Sequence, residues 1–135
     1  MPIDTSAAAF PSGPDVIVDF VFDRGMLFIT IENIGEKPAF EVRVKFSEKI
    51  RGIEGTKDIS ALPLFQELEF LAPHKEIRAF LDSSASYFRS KQPTKVSAEV
   101  VFKDSNGNRR VVTIRHNLEI YREIGYAELA RSFPE

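Results

Sequence analysis

The stretch ENIGEKPAFEVRVKF, residues 32–46, constrains the fold more than any other. In its second half Val42, Val44 and Phe46 alternate with Glu41, Arg43 and Lys45. A period of two is that of a β-strand, whose successive side chains point to opposite faces. One face is apolar and the other charged, so the strand is covered on one side only, as in an antiparallel sandwich. The first half gathers Asn33, Gly35 and Pro38 into a turn. Gly35 offers a position open to positive φ, and Pro38 fixes the direction of the chain into the strand. This turn is expected to carry the chain from one sheet to the other.

The same rhythm recurs along the chain. DVIVDFVF puts Val16, Val18, Phe20 and Phe22 on one face, and MLFITIEN does the same for Leu27, Ile29 and Ile31. EIRAFLD aligns Ile77, Ala79 and Leu81, and KVSAEVVF aligns Val96, Ala98, Val100 and Phe102. In RVVTIRHNLEIY, Val112, Ile114, Leu118 and Ile120 share one parity. DRG and APHK read as turns, and Asn106–Gly107 in KDSNGNR suits a type I′ hairpin. Two longer connections remain. The first, 47–67, contains ISALPLFQELEFL, too apolar for a solvated loop; it is expected to hold a short strand or helical turn folded over one end of the core. The second, SSASYFRSKQP, reads as irregular. The expected fold is an all-β, immunoglobulin-like antiparallel sandwich of about seven strands over residues 15–121. Residues 1–14 are expected to be a flexible leader. Residues 122–135 are expected to be a tail that has room for a short helix near 126–132, stopped by Pro134.

Composition narrows the function classes. At 135 residues the chain is long enough for one domain with its own core. A net charge of -2 gives no global basic field for nucleic acid. The absence of cysteine removes disulfides, thiolate metal sites and a thiol nucleophile. No apolar run reaches the length of a membrane span, and MPIDTSAAAFPSGP lacks the basic start and apolar run of a signal peptide. None of this fixes a compartment.

The strand–loop–strand FITIENIGEKPAFEVRVKF, followed by LAPHKEIRAFL, resembles a widespread immunoglobulin-like module of bacteria and archaea, of the CARDB-like and fibronectin-III-like kind. In such modules an Asn-x-Gly-x-x-Pro-Ala turn joins the second and third strands, and a Leu-x-Pro-Gly-type turn precedes the fifth. Here His74 stands where that glycine is usual, and the 47–67 connection is longer than the pattern. The resemblance implies a binding or spacer module with no catalytic residues to transfer, partnered by another protein or a neighbouring domain.

His74 and His116 show neither H-x-x-x-H nor H-E-x-x-H spacing, and a surface or edge-strand placement is the simpler reading. DSNGN, residues 104–108, has the look of a calcium loop, but the twelfth position from Asp104 is Arg115, so a turn is expected and no metal. The serines of DSSASYFRS lack a nucleophile setting. Asp15, Asp19 and Asp23 read as solvated charges on a strand's outer face. Arg109–Arg110 is a weaker basic pair. Phe28 and Phe80 have the wrong parity for the core, so they are either covered or mark a contact surface. The two long connections emerge at one end of the expected sandwich. There Tyr87 and Phe88 sit among Arg89, Lys91 and Lys95, either a cluster for an anionic or sugar ligand or a loop whose aromatics tuck inward while its cations reach out, the second being preferred; Phe65 is either a plug or a contact residue, the plug being preferred. The expected contact surface is therefore Tyr87, Phe88, Arg89, Lys91 and Phe65. The function expected is a non-enzymatic interaction or spacer module of a larger bacterial or archaeal protein or assembly, without cofactor and without direct membrane insertion. The alternative is a carbohydrate-binding module, disfavoured by the absence of Trp and by only three Tyr. A hydrolase on the same scaffold needs convergent His and carboxylates that the spacing does not supply.

Overall fold

The computed structural model describes residues 13–122 and 124. The helix expected near 126–132 falls outside them. The chain forms β1 (Val16–Asp23), β2 (Met26–Asn33), β3 (Ala39–Phe46), the short β4 (Arg51–Gly52) and β5 (Lys57–Asp58), then a 3₁₀ turn at Ile59–Ala61. There follow α1 (Pro63–Gln66), β6 (Leu68–Leu71), β7 (Glu76–Ser83), α2 (Ser84–Arg89), β8 (Lys95–Lys103) and β9 (Arg109–Asn117). Three strands make one sheet in the order β1-β2-β7, and four make a second in the order β6-β3-β8-β9; β4 and β5 pair only with each other. All pairings are antiparallel. The fold is an all-β sandwich. The turn at 34–38 carries the chain from the first sheet to the second, as its sequence suggests.

The inner faces carry the residues that alternation selects. Val16, Val18, Phe20, Leu27, Ile29, Ile31, Val42, Val44, Leu81, Val96, Ala98, Val100 and Phe102 are all buried in one core. Phe22, Phe46, Ile77, Ala79 and Val112 pack against it half-buried, nearer the rims.

Asn33 fastens one end of the sandwich. Its Oδ1 accepts from the N–H of Asp15 at 3.1 Å and of Gly35 at 3.0 Å. Its Nδ2 donates to the carbonyls of Lys37 at 2.8 Å and Leu71 at 3.1 Å. Every hydrogen-bonding valence of a fully buried amide is thereby used. Gly35 is needed for a reason other than positive φ: a Cβ there would stand 2.2 Å from the carbonyl oxygen of Gly13. Gly13 and Pro14, expected in a loose leader, are instead tied down, because Glu36 donates its N–H to Gly13 at 3.1 Å and Pro14 is buried.

Turn chemistry differs from expectation in a systematic way. The type I′ conformation belongs to the β1–β2 hairpin, where Arg24 (φ 53°) and Gly25 (φ 83°) both lie in the left-handed region. In the β8–β9 hairpin only Gly107 (φ 83°) does, so the three residues between Asp104 and Asn108 form a type I turn closed by a left-handed glycine. Ala72–Lys75 is a type II turn with Pro73 at its second position and His74 (φ 62°) at the third, the position that favours glycine.

Three further departures matter for the surface. A bulge at Phe40–Arg43, with Glu41 at φ 51°, shifts parity within β3, so Ala39 turns inward and Phe40 outward. Residues 84–89, expected to be irregular, form α2, whose first turn is capped by the Ser83 hydroxyl accepting the Ser86 N–H. β9 ends at Asn117 rather than running to Tyr121, because the Asn117 side chain accepts the Glu119 N–H and the chain turns. Leu118 is buried, but Ile120, expected on the same inner face, is 54% exposed.

Candidate interaction surfaces

The first long connection packs on the end of β7 from which the second departs. Ile53 donates its N–H to the Leu81 carbonyl at 2.9 Å, and the buried Asp82 carboxylate accepts the Glu54 N–H at 3.0 Å. Of the five residues expected to form a contact surface there, two are spent on the core. Phe65 is fully buried and meets the ring of Phe46 edge-on, with centroids 5.1 Å apart. It plugs the open side of β3, where Gln66 also donates to the Val44 carbonyl at 3.3 Å. Tyr87 is likewise fully buried, and its hydroxyl donates to the Pro93 carbonyl. Burial, and behind it the nearby Asp82 charge, pushes the Tyr87 phenol well above its ordinary range. Phe88 is half-buried under the guanidinium of Arg122, 4.3 Å from its ring centroid. Of the five, only Arg89 and Lys91 are exposed.

The polar groups that often carry chemistry are committed to structure. His116 Nε2 lies 2.9 Å from the Val18 carbonyl, which can only accept, so this nitrogen bears the proton. His74 Nε2 faces Glu36 Oε1 at 3.2 Å on the surface. Asp104 accepts the N–H groups of Asn106 and Asn108, each at 2.9 Å. Those donors, Asn108 foremost, hold its carboxyl below the ordinary range. The loop is thus a turn knitted by its own aspartate. Among the described residues no group of His, Asp and Glu is placed to share a metal ion.

The outer faces of the sheets offer more. On the three-stranded sheet the register sets Val21, Phe28 and Phe80 side by side. The two rings meet edge-on at 5.7 Å, and Phe80 is 43% exposed. Neither ring enters the core: no described segment covers Phe80, and Phe28 is half-buried with the Arg78 guanidinium 5.7 Å from its ring centroid. On the four-stranded sheet the β3 bulge sets Phe40 beside Phe70 of β6, with centroids at 5.4 Å and Phe70 53% exposed. Val111 is exposed on the same face. This second pair escaped the sequence reading because the bulge reverses Phe40 and because β6 lies inside an apolar stretch with no clear period. Each sheet therefore presents an aromatic pair to solvent.

The two faces differ in charge. Asp19, Glu32 and Glu76 project from the three-stranded sheet around Arg78, which lies 3.6 Å from Glu76. Arg43, Lys45, Lys95, Lys103, Arg109 and Arg115 project from the four-stranded sheet, with Glu99 among them, opposite Lys45. Arg43 is paired with Glu69 at 2.9 Å and Lys103 with Glu41 at 3.3 Å.

The architecture defines an all-β sandwich domain whose exposed aromatic residues lie on flat sheet faces. Over residues 6–122 the sequence matches the family described as a domain of unknown function (DUF8453), and the chain belongs to that family. No curated protein and no solved structure matches the chain.

Proposed function

We propose that the chain is a non-catalytic, immunoglobulin-like interaction module of a larger bacterial or archaeal protein or assembly, binding another protein or a neighbouring domain through its sheet faces. The observation that carries this reading is the pair of solvent-facing aromatic couples, Phe28–Phe80 and Phe40–Phe70. Large rings left in water on flat, rigid strands cost hydrophobic free energy that a partner recovers on binding. The immunoglobulin-like assignment draws support from the three-on-four strand order and from the crossing at Asn33–Pro38. Non-catalytic use agrees with the structural commitments of His74, His116, Ser83 and Asp104.

The carbohydrate-binding alternative is less well supported. Tyr87 is buried and Tyr121 is half-buried with its hydroxyl on the Phe20 carbonyl, so neither forms an open stacking platform.

The test is capture of partners by the immobilised chain, comparing wild type with Phe80→Ser and Phe70→Ser. The reading expects at least one partner lost from one variant while both variants melt as wild type does. Capture indifferent to both substitutions contradicts it.

A further inference from the structure

We propose that the two sheet faces are complementary to each other, so that the outer face of the three-stranded sheet binds the outer face of the four-stranded sheet on a second copy of the chain. This rests on the interaction reading above and names the partner.

Charge selects the pairing. On the three-stranded face Asp19, Glu32 and Glu76 outnumber Arg78, and on the four-stranded face Lys45, Lys95 and Arg115 outnumber Glu99. Pairing either face with itself sets an excess of like charge together, which disfavours that contact. Pairing one with the other brings opposite charges together.

The layout along the strands fixes the direction as well. On the three-stranded face the apolar group Val21, Phe28 and Phe80 lies toward the β1–β2 hairpin, and Glu32 and Glu76 lie toward the opposite end. On the four-stranded face the order is reversed. Phe40 and Phe70 lie at the end fastened by Asn33, and Lys95 and Arg115 lie at the hairpin end. Rotating the second copy by about half a turn in the plane of the sheet sets aromatic on aromatic and carboxylate on cation together. Without that rotation, Glu32 and Glu76 meet Phe40 and Phe70 and are desolvated without partners.

The contact joins two different faces, so it is heterologous and a dimer leaves one face of each kind open. A face of three strands of eight residues covers roughly 400 Å² at ordinary strand spacing, small against the roughly 800 Å² per partner of a stable interface. Association is therefore weak, concentration-dependent and sensitive to salt.

Sedimentation velocity of the full chain from about 10 μM to about 1 mM tests this, since contacts of this size fall in the weak affinity range. At low salt the wild type is expected to grow in mass with concentration, and at about 0.5 M salt to return to monomer. The double variants Glu32→Lys/Glu76→Lys and Lys45→Glu/Arg115→Glu are each expected to be monomeric, with melting temperatures near wild type because the changes are at the surface. Mixed together they are expected to associate again, because the two intact faces are complementary and the two reversed faces are opposite in charge to each other. A monomeric wild type at low salt, a monomeric mixture, or one double variant that still dimerises alone overturns the proposal. If the wild type is monomeric yet the immobilised chain captures a different protein in a Phe80-dependent way, the self-complementary pairing falls and the interaction module stands.

Discussion

The imidazole of His116, on the last strand, donates through Nε2 to the carbonyl of Val18 on the first, and the two residues belong to different sheets. β1 is an edge strand, so the carbonyls of Val18 and Phe20 lack strand partners on its open side. His116 takes one and the Tyr121 hydroxyl takes the other at 2.9 Å. Their rings also pack on β1, His116 edge-on to Phe20 at 4.9 Å and Tyr121 stacked on Phe22 at 6.2 Å. Two side chains thus seal an edge that would otherwise accept a stray strand.

His116→Phe keeps the ring and removes the donor, leaving the Val18 carbonyl unsatisfied. We expect a loss of about 1–2 kcal/mol, and about 1 kcal/mol for Tyr121→Phe, by urea denaturation. Both close the same edge, so the double variant should depart from additivity. Wild-type stability for His116→Phe contradicts the sealing role.

Asn33→Ala removes four hydrogen bonds from a buried site and strands two carbonyls and two N–H groups. A loss of about 2–4 kcal/mol is expected. The turn 34–38 and the 13–15 segment should lose amide protection together, read by hydrogen exchange.

His74 and Arg24 hold left-handed backbone at a cost, each at a turn position that suits glycine or asparagine. His74→Gly and Arg24→Asn are each expected to raise stability by about 0.5–1 kcal/mol. A fall in melting temperature would show that the His74–Glu36 contact outweighs the strain.

Val44 and Phe65 are both buried, at 2% and 0% exposure. Val44→Asp places an unpaired carboxylate in the core and should abolish folding, whereas Lys45→Gln on the opposite face should be near neutral. Phe65→Ser should cost about 3 kcal/mol or more.

Tyr87 and Tyr121 are both held above their ordinary value of 10.0 by burial, Tyr87 the more strongly. Each keeps its proton in the folded chain at a pH where the unfolded chain has lost it. Their contribution is therefore complete below pH 10 and declines as pH rises through the raised values. Tyr87→Phe should flatten this alkaline decline, measured as stability between pH 9 and roughly pH 11. An unchanged alkaline slope contradicts the assignment.

What the sequence made legible follows from where the physics is local. Alternation identified β1, β2, β3, β7 and β8 and their inner faces, because burial on one side imposes a period of two. The parity of Phe28 and Phe80 flagged them for the same reason. The bulge at Glu41 and the left-handed Arg24 were not legible in that way. Each depends on what lies across the fold: the offset between β3 and β8, and the twist the β1–β2 hairpin must match. The plug at Phe65 was legible from another signal, a connection too apolar for a solvated loop, though not the open side of β3 that it fills. Tyr87 falls both in an inward-tucked loop and in the expected contact surface, because an aromatic residue among cations looks the same in sequence whether its ring points in or out; it is buried.

Hydroxyl-radical footprinting of the chain, free and with its captured partner, tests the central claim most directly, since it reads the exposure of individual aromatic rings. Phe80, Phe70 or both should become protected on binding, while the buried Phe65 and Tyr87 stay unreactive in both states. Protection confined to the α2 end around Arg89 and Lys91, with Phe70 and Phe80 as reactive as in the free chain, would contradict it.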